Sequence, residues 1–220
     1  MRHVSTIGLL AVLAIPSCKA FVTADLFTAD LTQVALSLSS ATASAVVAVE
    51  AISKETCNEE SSALATALMA GFGSAEFIGC GGSDLETFSE FRVQLPIISA
   101  DQKPDAAIAF VSSISDRFVQ VNVVRSEAYM AAISAALPED MKLGGFDQIE
   151  MIIRARVNND LGKAISLEVK DAFVDGKPRQ ALFTANMNHR DQLAIRISDV
   201  GNASVSSEAM GASMFRFAVE

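Results

Sequence analysis

The chain has 220 residues, half of them apolar, and a formal net charge of −9. So many apolar residues exclude a disordered tether, because the chain can bury a substantial core. Its acidic charge, without any cluster of Lys and Arg, argues against nucleic acid as a partner, since phosphates would be repelled.

The first residues predict export. Arg2 and His3 precede an unbroken apolar run from Ile7 to Ile15. A charged start followed by a short apolar run is typical of a secretory signal peptide, and the run is too short to span a bilayer as a stable helix. Residues 1–17 are therefore predicted to be a signal peptide.

The next residues indicate how the exported chain is held. The sequence Ile15-Pro16-Ser17-Cys18 resembles the lipobox of bacterial lipoproteins. This resemblance implies that Cys18 is acylated and becomes the new N terminus, and that the membrane is a partner through this lipid. Lys19 follows the cysteine, which by resemblance to enterobacterial lipoproteins implies the outer membrane, facing the periplasm. The alternative is an ordinary signal peptide cut after Ala20, in which the cysteine has no role.

Residues 18–220 are predicted to form a single exported α+β domain, with a candidate sub-boundary at residues 100–106. Alternating apolar and polar residues predict strands at 21–26 and 45–52. Between them, Thr28 or Asp30 is expected to cap a helix. A second helix is expected from an Asn58 cap to about residue 70, followed by glycine-rich turns after Phe77.

Two cysteines, Cys57 and Cys80, follow the signal peptide. An even pair in an exported chain is expected to form one disulfide, which fastens the second helix to the glycine-rich segment. The alternative is a reactive thiol at Cys80 within Gly79-Cys80-Gly81-Gly82. A thiolate nucleophile needs a base, and the only histidine after the signal peptide is His189, which is predicted to lie at the tip of a β-hairpin.

The second half is predicted to be strand-rich. A helix from Ser126 to Pro138 is expected between strands, and five strands from residue 148 onward form an antiparallel β-meander with a hairpin at Asp175-Gly176. The fold class is thus α+β, a meander with two or three packed helices. Strand, helix and strand at 21–52 recur at 118–157, which suggests two similar halves with a crevice between them.

The usual catalytic and metal-binding motifs are absent from the sequence. One histidine cannot form a His-Glu-x-x-His helix, and no Gly-x-Ser-x-Gly turn occurs. We therefore expect no catalytic residue, no metal site and no cofactor, and a protein that is not an enzyme. A hydrolase that uses carboxylates remains a third hypothesis, because 26 acidic residues allow many pairs that sequence cannot place in space.

Two short runs resemble uncharacterised bacterial envelope lipoproteins, some of them carried by phages and prophages. They are the run from Cys18 to Leu31 and the late run Ile197-Ser-Asp-Val-Gly. The resemblance implies a lipid-anchored α+β domain and transfers no catalytic residue. The first hypothesis is a non-enzymatic protein that acts by contact with another envelope protein, in a structural or an exclusion role. The alternative is a periplasmic carrier of lipid or a small ligand.

Overall fold

The computed structural model describes residues 19–83, 86–143, 150–179, 182–205 and 211–219. Within these ranges one large mixed sheet of thirteen strands dominates the fold. The strands are β1 Lys19–Phe27, β2 Ala41–Ala51, β3 Glu76–Ser83, β4 Glu86–Ser99, β5 Ile108–Ser115, β6 Phe118–Arg125, β7 Glu150–Asn158, β8 Ile165–Lys170, β9 Ala172–Val174, β10 Lys177–Pro178, β11 Leu182–Met187, β12 Gln192–Ile197 and β13 Ala212–Ala218. The helices are α1 Thr28–Ser37, α2 Lys54–Phe72, α3 Glu127–Ala136, α4 Glu139–Leu143 and α5 Asp199–Val205.

The order of strands corrects the predicted meander. Along the sheet it is β10-β9-β12-β7-β1-β2-β4-β5-β6-β13-β8-β11, and β3 pairs with β4 at the side of this path. Most neighbours are antiparallel, but β1 with β7 and β4 with β5 are parallel. The α+β class fits this mixture of helices and sheet. The strands of the second half, however, join strands of the first half instead of forming a meander of their own.

Asp171 separates two consecutive strands, β8 and β9, that lie near opposite ends of this strand order. Its φ of 48° is a left-handed conformation, which interrupts the extended backbone between the two strands. Strand β8 pairs with β11 and β13, whereas β9 pairs with β10 and β12. Because consecutive strands belong to opposite ends of the order, the sheet curls until its two ends come close together.

The two predicted halves are not equivalent. Strands β1 and β2, which flank α1, are antiparallel neighbours. Strands β6 and β7, which flank α3 and α4, are separated by β5, β4, β2 and β1. The recurring strand, helix and strand pattern therefore reflects local alternation and not a repeated unit, and no crevice between two halves follows from it.

The main core lies on one side of the sheet, here called the inner face, and a small second cluster of Ile98, Ala109 and Val124 lies on the other side of β4, β5 and β6. Side chains at alternate positions of the strands point inward and are buried against α1, α2 and α3, as period-2 patterning requires. The largest side chains that are almost completely buried are Phe91, Phe110, Phe215, Phe217, Leu26, Leu31, Leu95, Ile97, Ile108, Ile153, Leu167 and Ile195. Leu31 and Val34 of α1 are buried as its sequence spacing predicts.

A distant carboxylate caps α1, which corrects the predicted cap at Thr28 or Asp30. No side chain at the N-cap position, Phe27, bonds to the helix. Instead Asp160, in the turn after β7, accepts hydrogen bonds from the Ala29 backbone N–H at 2.8 Å and from the Thr28 hydroxyl at 3.0 Å. This contact satisfies an orphan donor at the positive end of the helix, and it ties the end of β1 to the end of β7.

Helix α2 begins earlier than predicted. The Ser53 hydroxyl accepts a hydrogen bond from the Thr56 N–H at 3.1 Å, so Ser53 caps the helix and Asn58 lies one turn inside it. At the other end Gly71 faces Ile133 of α3, and a side chain at this position would overlap the isoleucine. Glycine therefore permits the close approach of α2 and α3. Neither these two helices nor any other described helix is long and apolar enough to cross a membrane.

Candidate functional site

The predicted disulfide is present. Cys57 in the first turns of α2 and Cys80 in β3 are joined by an S–S bond of 2.01 Å, with 6.1 Å between their Cα atoms. The glycine-rich segment predicted as turns is itself a strand, and it pairs with β4. With its sulfur in this bond, Cys80 offers no thiol, which contradicts the hypothesis of a reactive thiol at this position. His189 lies exposed in the turn between β11 and β12, but β11 pairs with β8, and β12 pairs with β7 and β9, so the predicted hairpin is wrong.

Cys18 and the signal peptide lie outside the described residues. Strand β1 nevertheless starts at Lys19, the residue that follows this cysteine, and pairs with β2 and β7 from its first residues. Any group attached to Cys18 would therefore be joined directly to a central strand of the sheet.

An apolar cleft of about 280 Å³ lies between the inner face, α2 and α3. Residues of β1, β2 and β7 form its floor, and the two helices form its walls. The Arg125 and Glu127 side chains, joined by an ion pair of 2.8 Å, are its charged members. The lining consists of Ala20, Val47, Val49, Leu64, Ala67, Leu68, Arg125, Glu127, Met130, Ala131, Ile133, Ser134, Leu137 and Met151.

The other side of the sheet differs sharply in character. We call the outward-pointing residues of β1, β2, β4, β7, β9 and β12 the open face. No described helix packs on it, and its aromatic side chains Phe21, Phe88 and Phe173 are only partly buried and lie outside the core. Arginines stand among these rings. The outward residues include Phe21, Thr23, Asp25, Ser44, Val46, Ala48, Glu50, Phe88, Glu90, Arg92, Gln94, Ile152, Arg154, Arg156, Phe173, Gln192, Ala194 and Arg196.

Two arginines of the open face stand directly opposite each other. Arg154 on β7 is the register partner of Arg196 on β12. The guanidinium carbon of Arg154 lies 4.1 Å from the centre of the Phe21 ring, and that of Arg196 lies 3.9 Å from the centre of the Phe173 ring. The described part of the chain gives neither arginine an ion-pair partner.

The electrostatics at this pair are unfavourable for the protein alone. Burial, and then the charge of Arg196, lower the pKa of Arg154 from its usual value. The two side chains border an open pocket of about 480 Å³, together with Thr23, Arg156 and Phe173. The nearest described carboxylate on β1, Asp25, is already held by Arg156 at 2.6 Å.

The Arg154–Arg196 pair was not predicted from the sequence. Alternation along β7 and β12 places both arginines on the polar side of their strands, and that signal was visible. The register that sets them opposite each other depends on the pairing of β7 with β12, whose nearest paired residues, Asn158 and Gln192, are 34 residues apart in the chain. Alternation within one strand does not encode this pairing.

Residues 20–218 match the model of a protein family described as a domain of unknown function, DUF7424, and the chain therefore belongs to this family. The match covers nearly the whole described fold. No curated protein and no solved structure matches the chain. Among the described residues, no group of three or more His, Cys, Asp and Glu side chains could hold a metal ion.

Proposed function

We propose that this protein is a non-enzymatic lipoprotein of the bacterial envelope, anchored through Cys18, which acts by contact with another envelope protein. The observation that carries this proposal is the open face. Arginine and aromatic residues are the types enriched at protein interfaces, and here they share one side of the sheet on which none of the described helices packs.

The partner is a protein that presents acidic groups. The chain as a whole is acidic at −9, yet the open face brings Arg154 and Arg196 together on two neighbouring strands, and neither has an ion-pair partner among the described residues. An acidic partner surface complements this local charge, and such complementarity mainly sets specificity and the rate of association.

The anchor restricts where this partner can be. Strand β1 starts immediately after Cys18, and Thr23 stands beside Arg154 in the parallel pairing of β1 with β7. At about 3.3 Å per residue, the five residues from Cys18 to Thr23 span roughly 16 Å. With this anchor the partner would lie at the membrane surface. Lys19 after the cysteine favours the outer membrane, on its periplasmic side, by resemblance to enterobacterial lipoproteins.

The anchor is tested by the mass of the protein extracted from bacterial membranes without reductant. We expect a chain that begins at an acylated Cys18 and lacks two protons because of the disulfide. A mass that begins at Phe21 and includes no acyl chain would contradict the anchor.

The contact is tested by photo-crosslinking in living cells. A crosslinking residue replaces Ala194, which is exposed on the open face, or as a control Thr184, which is exposed on β11 at the far end of the strand order. We expect one acidic membrane-associated protein to be captured from position 194 and not from position 184. The additional change Arg196→Glu should abolish the capture. Equal capture from both positions, or capture that survives Arg196→Glu, would refute the open face as the contact surface.

The apolar cleft supports a second candidate function, a carrier of lipid or another small apolar ligand. Its volume of about 280 Å³ lies at the lower end of the range for ligand pockets. Ala131 lines the cleft, whereas Ala136 on the same helix does not. A carrier predicts that lipid which co-purifies with the protein is lost with Ala131→Phe and kept with Ala136→Phe. Retention in both variants would exclude the cleft as the carrier site.

A further inference from the structure

The opposition of Arg154 and Arg196 is unusual within this molecule. Three other arginines of the sheet face carboxylates across strands: Arg92 pairs with Glu76 at 2.7 Å, Arg156 with Asp25 at 2.6 Å and Arg216 with Glu168 at 2.6 Å. Like charges directly opposite each other in a sheet are destabilising. The Arg154–Arg196 pair is therefore an arrangement that weakens the fold.

The two aromatic rings hold both guanidiniums in place without using their hydrogen-bond donors. The guanidinium carbons of Arg154 and Arg196 lie over the Phe21 and Phe173 rings, 4.1 and 3.9 Å from the ring centres. A cation–π contact needs no hydrogen-bond acceptor, and neither guanidinium donates a hydrogen bond to another described side chain or backbone group, so their N–H donors can meet a ligand. Restricting the two side chains in this way also reduces the conformational entropy that a ligand would otherwise have to remove.

We infer that the Arg154–Arg196 pair is a binding site for one oxyanion group, a carboxylate or a phosphate, whose oxygens bridge the two guanidiniums. An anion between the two side chains would neutralise their repulsion and accept charge-assisted hydrogen bonds from both. The open pocket of about 480 Å³ beside them provides room for the group that carries the anion. The inference rests on the proposed function only for the source of that group, which would there be an acidic side chain of the partner.

The inference is tested by NMR on the full chain purified in a non-ionic detergent. The Arg Nε–H signals are followed while sodium phosphate, sodium succinate or sodium chloride is added at constant ionic strength. We expect saturable shifts of the Arg154 and Arg196 signals with phosphate or succinate and none with chloride. Tighter binding of succinate indicates carboxylates of a protein partner, and tighter binding of phosphate indicates a phosphate compound. Shifts that do not saturate, or that chloride reproduces, would overturn the inference.

Variants test whether Arg154 and Arg196 are the residues that bind the anion. Arg154→Gln and Arg196→Gln should each weaken it about tenfold or more, because each removes hydrogen bonds to a charged group. Arg92→Gln is the matched control, since Arg92 lies on the same face and is neutralised by Glu76. Arg196→Lys keeps the charge and the fold but not the fork of donors, and we expect intermediate affinity. Equal weakening in the Arg92→Gln control would show general attraction by surface charge and refute the site.

The two proposals can fail separately. Loss of anion binding in these titrations, with crosslinking from position 194 intact, would leave the protein contact standing. Anion binding without crosslinking would leave the oxyanion site standing and remove the protein partner.

Discussion

The two faces of β7 show how one strand serves two purposes. Toward the inner face it places Ile153, Ala155 and Val157, each at most 2% exposed, in the core. Toward the open face it places Arg154 beside a like charge and Arg156 beside Asp25. Burial of the inner-face side chains lowers the free energy of the folded state, whereas the repulsion between Arg154 and Arg196 on the open face raises it. Residues that a fold retains against its own stability are the first candidates for a role in binding.

The largest expected effect is a difference in stability between alanine variants of two neighbouring isoleucines, Ile153 and Ile152. Ile153→Ala removes a side chain that is 2% exposed and should lower the free energy of unfolding by about 2–5 kcal/mol. Ile152→Ala changes the same residue type on the open face and should cost about 1 kcal/mol or less. Urea denaturation of both variants measures the difference. Similar losses would mean that the open face is also packed, and the comparison would fail.

The disulfide should have the next largest effect, because it fastens α2, on the inner face, to the edge strand β3. Replacing Cys57 and Cys80 by Ser should lower the free energy of unfolding by roughly 3 kcal/mol. Thermal denaturation with and without reductant measures this contribution. Reductant should lower the melting temperature of the parent protein but not that of the double variant, and an equal decrease in both would contradict the assignment.

A smaller effect is expected at the cap of α1. Asp160→Ala removes the acceptor of the Ala29 N–H and should cost about 1 kcal/mol. Asp160→Asn keeps an acceptor oxygen and should cost less. Urea denaturation distinguishes the two variants. Identical stability of the Ala variant and the parent protein would show that α1 depends on its inner-face packing alone.

The smallest effect tests the open face itself. A double-mutant cycle between Arg154 and Arg196, each changed to Gln, should give a repulsive coupling of about 0.5 kcal/mol. The same cycle between Asp25 and Arg156 should give an attractive coupling of similar size, since both side chains are partly exposed. Both couplings should decrease as salt is added. Two couplings of the same sign would contradict the arrangement.

Local pattern predicted the local structure well. Alternation located β1, β2, β6 and β7, the Asp175-Gly176 dipeptide predicted the turn between β9 and β10, and the two cysteines form the predicted disulfide. The caps were predicted less well. Asn58 was predicted to cap α2, whereas the structure uses Ser53, whose hydroxyl accepts a hydrogen bond from the Thr56 N–H.

The errors concern contacts between residues distant in sequence. Nothing in residues 19–27 specifies that their parallel partner is β7, or that Asp160 will cap the following helix. The break at Asp171 was also missed, although the buried positions change phase there, from Val169 in β8 to Ala172 and Val174 in β9. The Arg154–Arg196 site depends on the same long-range register, so it could be recognised only in the folded chain.

The central position of β1 also sets the order in which this fold can be completed. Strand β1 is synthesised before the other described strands, whereas its parallel neighbour β7 follows about 130 residues later in the chain, as the Asp25–Arg156 contact illustrates. Closing so long a segment is slow, because its entropy is lost before the ladder of hydrogen bonds forms. Until β7 arrives, one edge of β1 has unpaired backbone groups that other strands could join. A nascent chain of this protein should therefore be most prone to aggregation just before residues 150–158 emerge.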